Sequence, residues 1–302
     1  MIDYHCHILP GLDDGATTID ESIAMAKGLV EVGYATVCCT PHCMKGYYEF
    51  PPEQVREATL ILQADLDNAG IDVTLWTGME YTLDECFFDF VDNLLPLGDS
   101  RLLLCEAPQI PNPAVIVDGL NAIVEKGFIP LIAHPERSEF FYRALCSRNA
   151  KGSDERRVTS NEEEPQEKVK PAPGFLKRLF GFGLSADSKS NTQNSKFTGE
   201  ELPRQCLFQA NVASFLGYYP SETQKHAYDL LKLGPFNCIA SDLHNSYMAR
   251  KVLKSGFEKL EANPLLKMLA GVTPEELEAI SEQTLFEEKQ VEPEEKQQEF
   301  GF

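Results

Sequence analysis

The chain has 302 residues, of which 43% are hydrophobic and 25% charged, and its formal net charge is -20. This length suits one large α/β domain or two smaller ones. The negative charge argues against nucleic-acid binding, because phosphate contacts need lysine and arginine, and against an anionic membrane surface. The nine cysteines, without an N-terminal apolar signal or a stretch of eighteen apolar residues, predict a cytoplasmic protein with reduced thiols and no stable membrane insertion.

Predicted strands and helices alternate along the chain. Seven apolar or β-branched runs predict strands at about 1–5, 34–40, 71–79, 101–106, 129–133, 205–210 and 236–241. Helices are predicted at about 19–30, 52–69, 84–95, 114–125, 222–232, 247–260 and 274–281. Thr18 and Glu21 form a capping-box pattern before the first of these helices. The alternation predicts a parallel sheet with right-handed crossovers.

We predict a single catalytic domain over residues 1–281, interrupted by an insertion at 146–204. The insertion is rich in Ser, Asn, Lys, Glu and Pro, and such a composition predicts disorder, because it cannot bury enough apolar surface to offset the entropy of ordering. Within it, residues 174–182 form a short basic and apolar patch, a candidate docking element for a partner or a lipid surface. Residues 282–302 are predicted to be an acidic, Gln-rich mobile tail.

A His-x-His pair follows the first predicted strand. Side chains two residues apart on an extended chain point the same way, so His5 and His7 can present two imidazole nitrogens to one ion. Asp13 or Asp14 would add an oxygen from the following loop. Imidazole combined with carboxylate suits zinc, manganese or iron. The N-terminal segment therefore predicts a metal site.

Similar residues follow the other predicted strands. They are His42, Glu80, Glu106, His134, Asp242 and His244. In a closed (β/α) barrel every strand ends on one face, and barrel enzymes have their active sites there. A barrel would therefore bring all these candidates together. Cys43, next to His42, is a candidate additional ligand, whereas His226, on the polar stretch of a helix, is interpreted as structural.

These residues resemble the PHP (polymerase and histidinol phosphatase) superfamily. The matching motifs are His5-x-His7, Pro41-His42, Gly78-x-Glu80, Glu106, Ala133-His134-Pro135-Glu136-Arg137 and Ser241-Asp242-x-His244-Asn245. The string from Ile2 to Gly15 is similar to the CpsB/YwqE-type branch, the bacterial metal-dependent protein-tyrosine phosphatases of capsule and exopolysaccharide systems. The resemblance covers residues 1–143 and 205–260. It implies a distorted (β/α)7 barrel with a metal site at the C-terminal ends of the strands.

The resemblance also implies three divalent metal ions, with manganese favoured and zinc or iron as alternatives. The implied ligand sets are His5, His7, Glu80 and Asp242 for the first ion, Glu80, Glu106 and His134 for the second, and Asp14, His42 and His244 for the third. Asp14 is preferred to Asp13 as the ligand. Arg137 is implied to bind phosphate. The sequence departs from the family pattern at Cys43, where a second histidine is common, and in the long insertion.

Clustered divalent ions lower the pKa of a bound water to about 7 and neutralise the charge that develops in phosphoryl transfer. We therefore predict attack of a metal-bound hydroxide on phosphotyrosine, with Arg137 holding two phosphate oxygens and His42 or His244 helping to protonate the leaving phenolate. Tyr47, Tyr48 and Phe50 could line the site as an aromatic wall. No cysteine is followed by arginine at the spacing Cys-x5-Arg, which argues against a thiol-based phosphatase.

The substrate implied by the resemblance is the tyrosine-rich tail of a bacterial tyrosine autokinase that controls capsule or exopolysaccharide synthesis. Two alternatives stay open at this point. One is a small-molecule phosphoesterase of the same superfamily, similar to histidinol phosphatases, and the other is a non-catalytic regulatory protein. The sequence is compatible with a homo-oligomer.

Overall fold

The computed structural model describes residues 1–158, 199 and 201–291. The strands in this part of the chain are β1 (Ile2–Cys6), β2 (Thr36–Cys39), β3 (His42–Cys43), β4 (Thr74–Thr77), β5 (Glu80–Thr82), β6 (Leu102–Glu106), β7 (Ile129–Ala133), β8 (Leu207–Asn211) and β9 (Cys238–Ala240). The α-helices are α1 (Ile19–Glu31), α2 (Pro52–Asn68), α3 (Pro113–Glu125), α4 (Glu139–Val158), α5 (Val212–Phe215), α6 (Ser221–Leu233), α7 (Ser246–Met248), α8 (Lys254–Ala262), α9 (Pro264–Leu269) and α10 (Pro274–Val291). Shorter helical turns are Phe87–Asp89, Pro135–Arg137 and Ala249–Leu253.

The strands form two parallel sheets. One has the order β1-β2-β4, and the other has the order β3-β5-β6-β7-β8-β9. The chain just beyond β9 returns to β1, because the amide of Asp242 donates to the carbonyl of His5 at 2.8 Å and the amide of His7 donates to the carbonyl of Leu243 at 2.9 Å. The predicted α/β class with parallel strands is confirmed, while closure into one barrel stays a prediction.

Two of the predicted strands are each followed by a short strand that was not predicted, β3 after the run 34–40 and β5 after the run 71–79. The run 34–40 continues past Pro41, which has no amide proton to donate to a neighbouring strand, and the strand resumes at His42. The run 71–79 is interrupted at Gly78, where a Cβ atom would lie 2.5 Å from the side chain of Leu97. The continuations β3 and β5 belong to the second sheet, so each break passes the chain from one sheet to the other.

The central strands are buried on both faces, as expected for parallel strands covered by helices. In β6, Leu102 and Leu104 belong to one buried cluster and Leu103 and Cys105 to another, because successive side chains point to opposite faces. The smaller cluster also contains Tyr4 and, from α10, Leu277. Helix α10 therefore covers one face of the strands.

Helix α1 begins as the capping-box pattern predicts, although only one of the two hydrogen bonds of a capping box forms. The side chain of Thr18 accepts a hydrogen bond from the amide of Glu21. The carboxylate of Glu21 accepts instead from the amide and hydroxyl of Thr17. The buried face of the helix includes Met25 and Leu29, so the predicted apolar stripe packs into the core.

The predicted helix over 84–95 is wrong. The structure has only the 3-10 turn Phe87–Asp89 there. The carboxylate of Asp84 accepts a hydrogen bond from the amide of Cys86 at 2.9 Å, and such a local turn competes with helix formation. At the far end, the amide of Leu95 donates to the hydroxyl of Tyr81 at 2.8 Å. Local turn chemistry therefore overrides the helical pattern.

Both predicted non-globular segments contain described residues at their edges. Helix α4 extends through 146–158, and Leu202, near the end of the predicted insertion, is buried. Helix α10 runs on to Val291, beyond the predicted start of the tail. Residues 159–198, 200 and 292–302 lie outside the described residues, and so does the basic and apolar patch at 174–182. Among the described helices, none is long and apolar enough to cross a membrane.

Candidate metal centre

The ligand candidates that follow the strands lie together at one end of the sheets. The pairing register contributes directly, because His42 is the partner of Glu80 and Thr82 is the partner of Glu106. His5, His7 and Glu80 have no exposed surface, and Asp242 is 1% exposed. Charged and polar groups are rarely buried to this extent without a partner of opposite charge or a metal.

Two of these residues have a left-handed backbone that is uncommon for residues other than glycine. His134 has φ of 32° and Asp242 has φ of 50°. Such conformations cost about 1–3 kcal/mol each and concentrate at functional sites. His134 directly follows β7, which ends at Ala133, and Asp242 stands two residues beyond β9, which ends at Ala240. The left-handed turn contributes to directing each side chain into the site.

The first implied ligand set is gathered around His5. Its Nε2 atom lies 3.0 Å from Nε2 of His7, 3.2 Å from Oε2 of Glu80 and 3.3 Å from Oδ1 of Asp242. The four side chains come from β1 and the residue directly after it, from the start of β5 and from the segment beyond β9. They present two imidazole nitrogens and two carboxylates to one point.

The second implied set, Glu80, Glu106 and His134, is also close together. His134 Nε2 lies 3.1 Å from Glu80 Oε1 and 3.9 Å from Glu106 Oε2. His42 joins this group, because its Nδ1 lies 2.9 Å from Glu80 Oε2 and 3.7 Å from Glu106 Oε1. His42 was assigned only to the third set, so the sequence did not indicate its position between the two carboxylates.

The third implied set, Asp14, His42 and His244, lies at the more exposed side of the site. Oδ1 of Asp14 is 3.5 Å from Nε2 of His42 and 3.5 Å from Nε2 of His244. The ring of His7 stacks on that of His244 with 3.9 Å between centroids. Ligand atoms of His7, Asp14, His42 and His244 all lie within 4.8 Å of one another. The structure therefore brings every predicted ligand into one connected group, while their assignment to individual ions stays a prediction.

The donor atoms fit divalent cations. Nε2 of His5 and Nε2 of His7 face each other at 3.0 Å, and His42 Nδ1 and Glu80 Oε2, both buried, lie 2.9 Å apart. Burial raises the pKa of Glu80, but the adjacent His5 and His42 outweigh it and hold this pKa well below its usual range. Burial and the charge of Glu80 raise the pKa of Glu106 to about 7. Lone pairs concentrated in this way suit bound cations.

The histidines are oriented by acceptors on their outer nitrogens. Nδ1 of His5 donates to the side-chain oxygen of Gln209 at 3.0 Å, Nδ1 of His7 donates to Asp13 at 2.6 Å, and Nδ1 of His244 donates to the carbonyl of Asp242 at 3.0 Å. Each bond leaves Nε2 with a lone pair toward the site, the arrangement typical of metal-ligating histidines.

Asp13 and Asp14 therefore have different surroundings. Asp13 binds His7 and also accepts from the amides of Gly15 and His42. Burial raises the pKa of Asp13, but the bond from His7 outweighs it and brings this pKa to about 2. The side chain of Asp14 is 53% exposed and faces two histidines. This geometry favours Asp14 as the ligand and Asp13 as the residue that orients His7.

Arg137 lies beside the ligands and is held by two contacts. Its Nη1 donates to Oδ2 of Asp242 at 2.6 Å, and its guanidinium lies 4.7 Å from the ring centroid of Tyr219. Asn211 joins the same network, since its side-chain amide donates to Asp242 at 2.7 Å and to the hydroxyl of Tyr219 at 3.3 Å. The sequence analysis missed Tyr219, Asn211 and Gln209. Gln209 lies within a predicted strand and Asn211 directly follows it. A polar residue at such a position was the sequence feature that could have indicated a role in the site.

A cleft of about 730 Å³ opens onto the site, and its lining includes Asp14, His42, Glu106, His134 and Arg137. Tyr47 and Tyr48 also line it, and the Tyr48 ring lies nearly parallel to that of His42, with 5.8 Å between centroids. Phe50 instead packs against the hydrophobic core. Two of the three proposed wall residues are therefore at the cleft.

Two other candidates are placed outside the site. Cys43 is buried in the core and belongs to none of the ligand groups that the described residues form. Burial raises the pKa of its thiol to about 12. The suggestion that Cys43 is an additional ligand is therefore not supported. His226 is buried on α6 and shares no ligand group with the strand-end residues described above.

Comparison with known proteins agrees with this geometry. Tyrosine-protein phosphatase YwqE of Bacillus subtilis is 39% identical over 140 residues, which are 46% of this chain and 55% of that protein. Tyrosine-protein phosphatase CpsB of Streptococcus pneumoniae is 34% identical over 139 residues, 45% of this chain and 57% of that protein. The chain thus spans somewhat more than half the length of these curated relatives.

The fold is similar to a chain from the crystal structures of YwqE from Bacillus subtilis and CpsB from Streptococcus pneumoniae, unique metal-dependent tyrosine phosphatases. The TM-score is 0.64 with 25% sequence identity, over 92% of this chain and 94% of that chain. The family described as capsular polysaccharide synthesis, CpsB/CapC, matches residues 1–150. The matching residues, just under half of the chain, carry seven of the nine predicted ligands, so the N-terminal part of the chain is similar to the CpsB/CapC family.

Proposed function

We propose that this chain is a metal-dependent phosphatase that hydrolyses phosphotyrosine on proteins. The observation that carries the proposal is the buried group of histidines and carboxylates at the strand ends, with Arg137 beside it and a cleft leading to it. The names of the similar proteins, tyrosine-protein phosphatases YwqE and CpsB, support the same activity.

Bound divalent cations would supply positive charge beside the phosphate and would acidify water for the attack. The ligand sets proposed for them are His5, His7, Glu80 and Asp242; Glu80, Glu106 and His134; and Asp14, His42 and His244. We favour three ions and manganese. The fixed tautomers of His5, His7 and His244 support these sets, because each ring already presents Nε2 to the site.

Arg137 binds the phosphate in this proposal. One nitrogen of its guanidinium is used by Asp242, and the other donors of the planar fork are available for two phosphate oxygens. Burial lowers the pKa of Arg137, but Asp242 outweighs it and the net direction is upward. The side chain therefore stays charged at every pH at which the enzyme would act.

The leaving phenolate is placed toward the aromatic side of the cleft. Tyr48 lies nearly parallel to His42, and Tyr47 is 79% exposed at the rim. These rings would contact the aromatic ring of phosphotyrosine, and His42, which lines the same cleft, is the first candidate to donate a proton to its oxygen. His244 is the second candidate for that proton. A small aliphatic phosphoester would leave the aromatic rim unused.

The proposal also includes the closure of the barrel, the cellular compartment and the protein substrate. We infer that the two sheets make up a distorted (β/α)7 barrel, which the hydrogen bonds joining Asp242 to His5 and Leu243 to His7 support. All nine cysteines lie in the described part and are free, as suits the cytoplasm. The proposed substrate is the phosphotyrosine tail of a bacterial tyrosine autokinase of capsule or exopolysaccharide synthesis.

The test is phosphate release from a phosphotyrosine peptide by protein stripped with a chelator and then resupplied with manganese. We expect activity to return with manganese and to withstand a thiol-alkylating reagent, since burial raises the pKa of thiols near the strands, such as Cys39, to about 12. A phosphoserine peptide and histidinol phosphate serve as controls. Faster hydrolysis of histidinol phosphate, or manganese binding without any activity, would contradict the proposal.

A further inference from the structure

A second group of metal-ligand side chains lies apart from the strand ends, between α4 and α6. It consists of Glu139, the first residue of α4, and of Glu222 and His226 on α6. One ligand atom from each of the three lies within 4.8 Å of the others. We call these three residues the helix cluster.

The buried member, His226, directs an unpartnered nitrogen into this cluster. The residue is 7% exposed, and its Nδ1 donates to the carbonyl oxygen of Glu136 at 3.3 Å. That bond fixes the tautomer in which Nε2 carries a lone pair. Among the described residues the polar neighbour of Nε2 is Oε2 of Glu139 at 3.9 Å, which is beyond hydrogen-bond distance. Nε2 therefore faces a carboxylate oxygen without a hydrogen bond to it.

The ring of His226 is fixed as well as its tautomer. Tyr142 stacks on it with 3.6 Å between centroids and 15° between planes. Tyr142 stands one helical turn after Glu139 on α4, so the same helix supplies both a carboxylate and the stacking surface. Arg143 binds the other oxygen of Glu139, Oε1. This contact leaves Oε2 toward the imidazole.

The remaining carboxylate is positioned by helix geometry. Glu222 and His226 are four residues apart on α6 and therefore lie on one face of the helix. Glu222 is in the first turn of α6 and is exposed. The nearby cation Lys225 pairs with Asp229 at 2.6 Å. Asp229 thus neutralises the positive charge of Lys225.

We propose that Glu139, Glu222 and His226 bind a divalent cation of the zinc class. One imidazole and two carboxylates are a ligand set that zinc accepts, and water can complete a tetrahedral site. Nδ1 of His226 donates to the carbonyl oxygen of Glu136. A metal-ligating histidine typically donates its outer nitrogen to an acceptor in this way. This site is separate from the strand-end ligands, and the proposal does not depend on the function proposed above.

A cation in the helix cluster would link α6 to the segment that borders the cleft. Glu139 lines the cleft together with Arg137 and Ser138, and Arg137 ends the helical turn immediately before α4. The cation would join this segment to α6. Occupancy of the helix cluster would therefore restrain the segment that carries Arg137.

The experiment compares zinc binding by the whole chain with zinc binding by Glu222→Gln. Chelator-stripped proteins are dialysed against a series of buffered free zinc concentrations, and bound zinc is counted by elemental analysis. Zinc bound at the strand ends contributes equally to both proteins, so the difference isolates the helix cluster. We expect Glu222→Gln to bind one equivalent fewer, or to bind that equivalent at least about tenfold more weakly, because one ligand is lost.

Three further variants make the comparison decisive. Glu258→Gln changes an exposed glutamate on α8 and should keep the wild-type zinc content. His226→Gln should lose the same equivalent as Glu222→Gln, with folding checked by circular dichroism. Cys146→Ser tests a thiol on α4 and should have no effect. Wild-type binding by Glu222→Gln, or loss of the same equivalent in Cys146→Ser or Glu258→Gln, would overturn the proposal.

Discussion

The strand-end site and the helix cluster are built in different ways. The first takes its ligands from segments between His5 and His244, brought together only when the parallel strands pair. The second takes two of its three ligands from one turn of α6 and the third from the neighbouring α4. The strand-end site therefore depends on the whole fold, whereas the helix cluster depends on a single contact between helices.

The two regions also differ in how their donors are shared. Glu80 lies within 3.5 Å of ligand atoms of His5, His7, His42 and His134. In the helix cluster no carboxylate is shared among several histidines, and Glu139 and Glu222 are exposed. We expect substitutions at the strand ends to have large effects that spread across the site, and substitutions in the helix cluster to have small and local ones.

The largest effect is expected for Glu80→Gln. The change removes the carboxylate shared by two proposed ligand sets, so manganese content should fall and kcat/KM on a phosphotyrosine peptide should drop by more than about 100-fold. Losing a ligand should exceed the 10–100-fold cost typical of residues that only support ligands. Elemental analysis and steady-state kinetics measure both quantities, with Glu258→Gln as the control. Wild-type manganese content in Glu80→Gln would contradict the shared role.

A smaller loss is expected for Arg137→Ala. This variant should lose about 100- to 1,000-fold in kcat/KM, the range for removing one group that stabilises transition-state charge, while it keeps bound manganese. Arg137→Lys retains the charge without the planar fork and should fall between wild type and alanine. Kinetics and metal analysis on the same preparations provide the measurement. Unchanged turnover in Arg137→Ala would remove this residue from the mechanism.

The smallest effect is expected for Tyr142→Leu in the helix cluster. The ring stacks on His226, and an aromatic pair contributes about 0.5–1.5 kcal/mol beyond its buried area. Zinc affinity of the helix cluster should therefore fall by about 2- to 13-fold, since 1.4 kcal/mol is a factor of ten, while manganese content at the strand ends stays unchanged. Equilibrium dialysis with both metals measures this. A change in manganese content would show that the two regions are coupled.

Much of the strand-end site could be predicted from the sequence because its ligands follow apolar runs. His134 and Asp242 stand directly beyond strands that were visible as short buried stretches, and parallel strands end on one side. Supporting contacts could not be predicted in the same way. Tyr219 reaches Arg137 across 82 positions of sequence, and no local pattern indicates such a pairing. His226 lies in a predicted helix, and the sequence around it indicated only a structural role.

The fold was predictable in class and less so in detail. Pro41 and Gly78 were visible in the sequence, but the passage of the chain between two sheets at these residues depends on neighbours such as Leu97. The predicted helix at 84–95 failed because Asp84 forms a turn with Cys86, a choice between two local hydrogen-bonding patterns that apolar periodicity does not report.

The left-handed backbone at His134 and Asp242 has a consequence for how the site would take up and release the proposed ions. Each conformation is imposed by the surrounding fold, at a cost of about 1–3 kcal/mol that is met when the chain folds. The site is thus preorganised, and capture of an ion requires little further ordering of these two side chains. Metal exchange can then proceed while the scaffold keeps its shape, so the identity of the bound metal would follow the supply of ions around the protein.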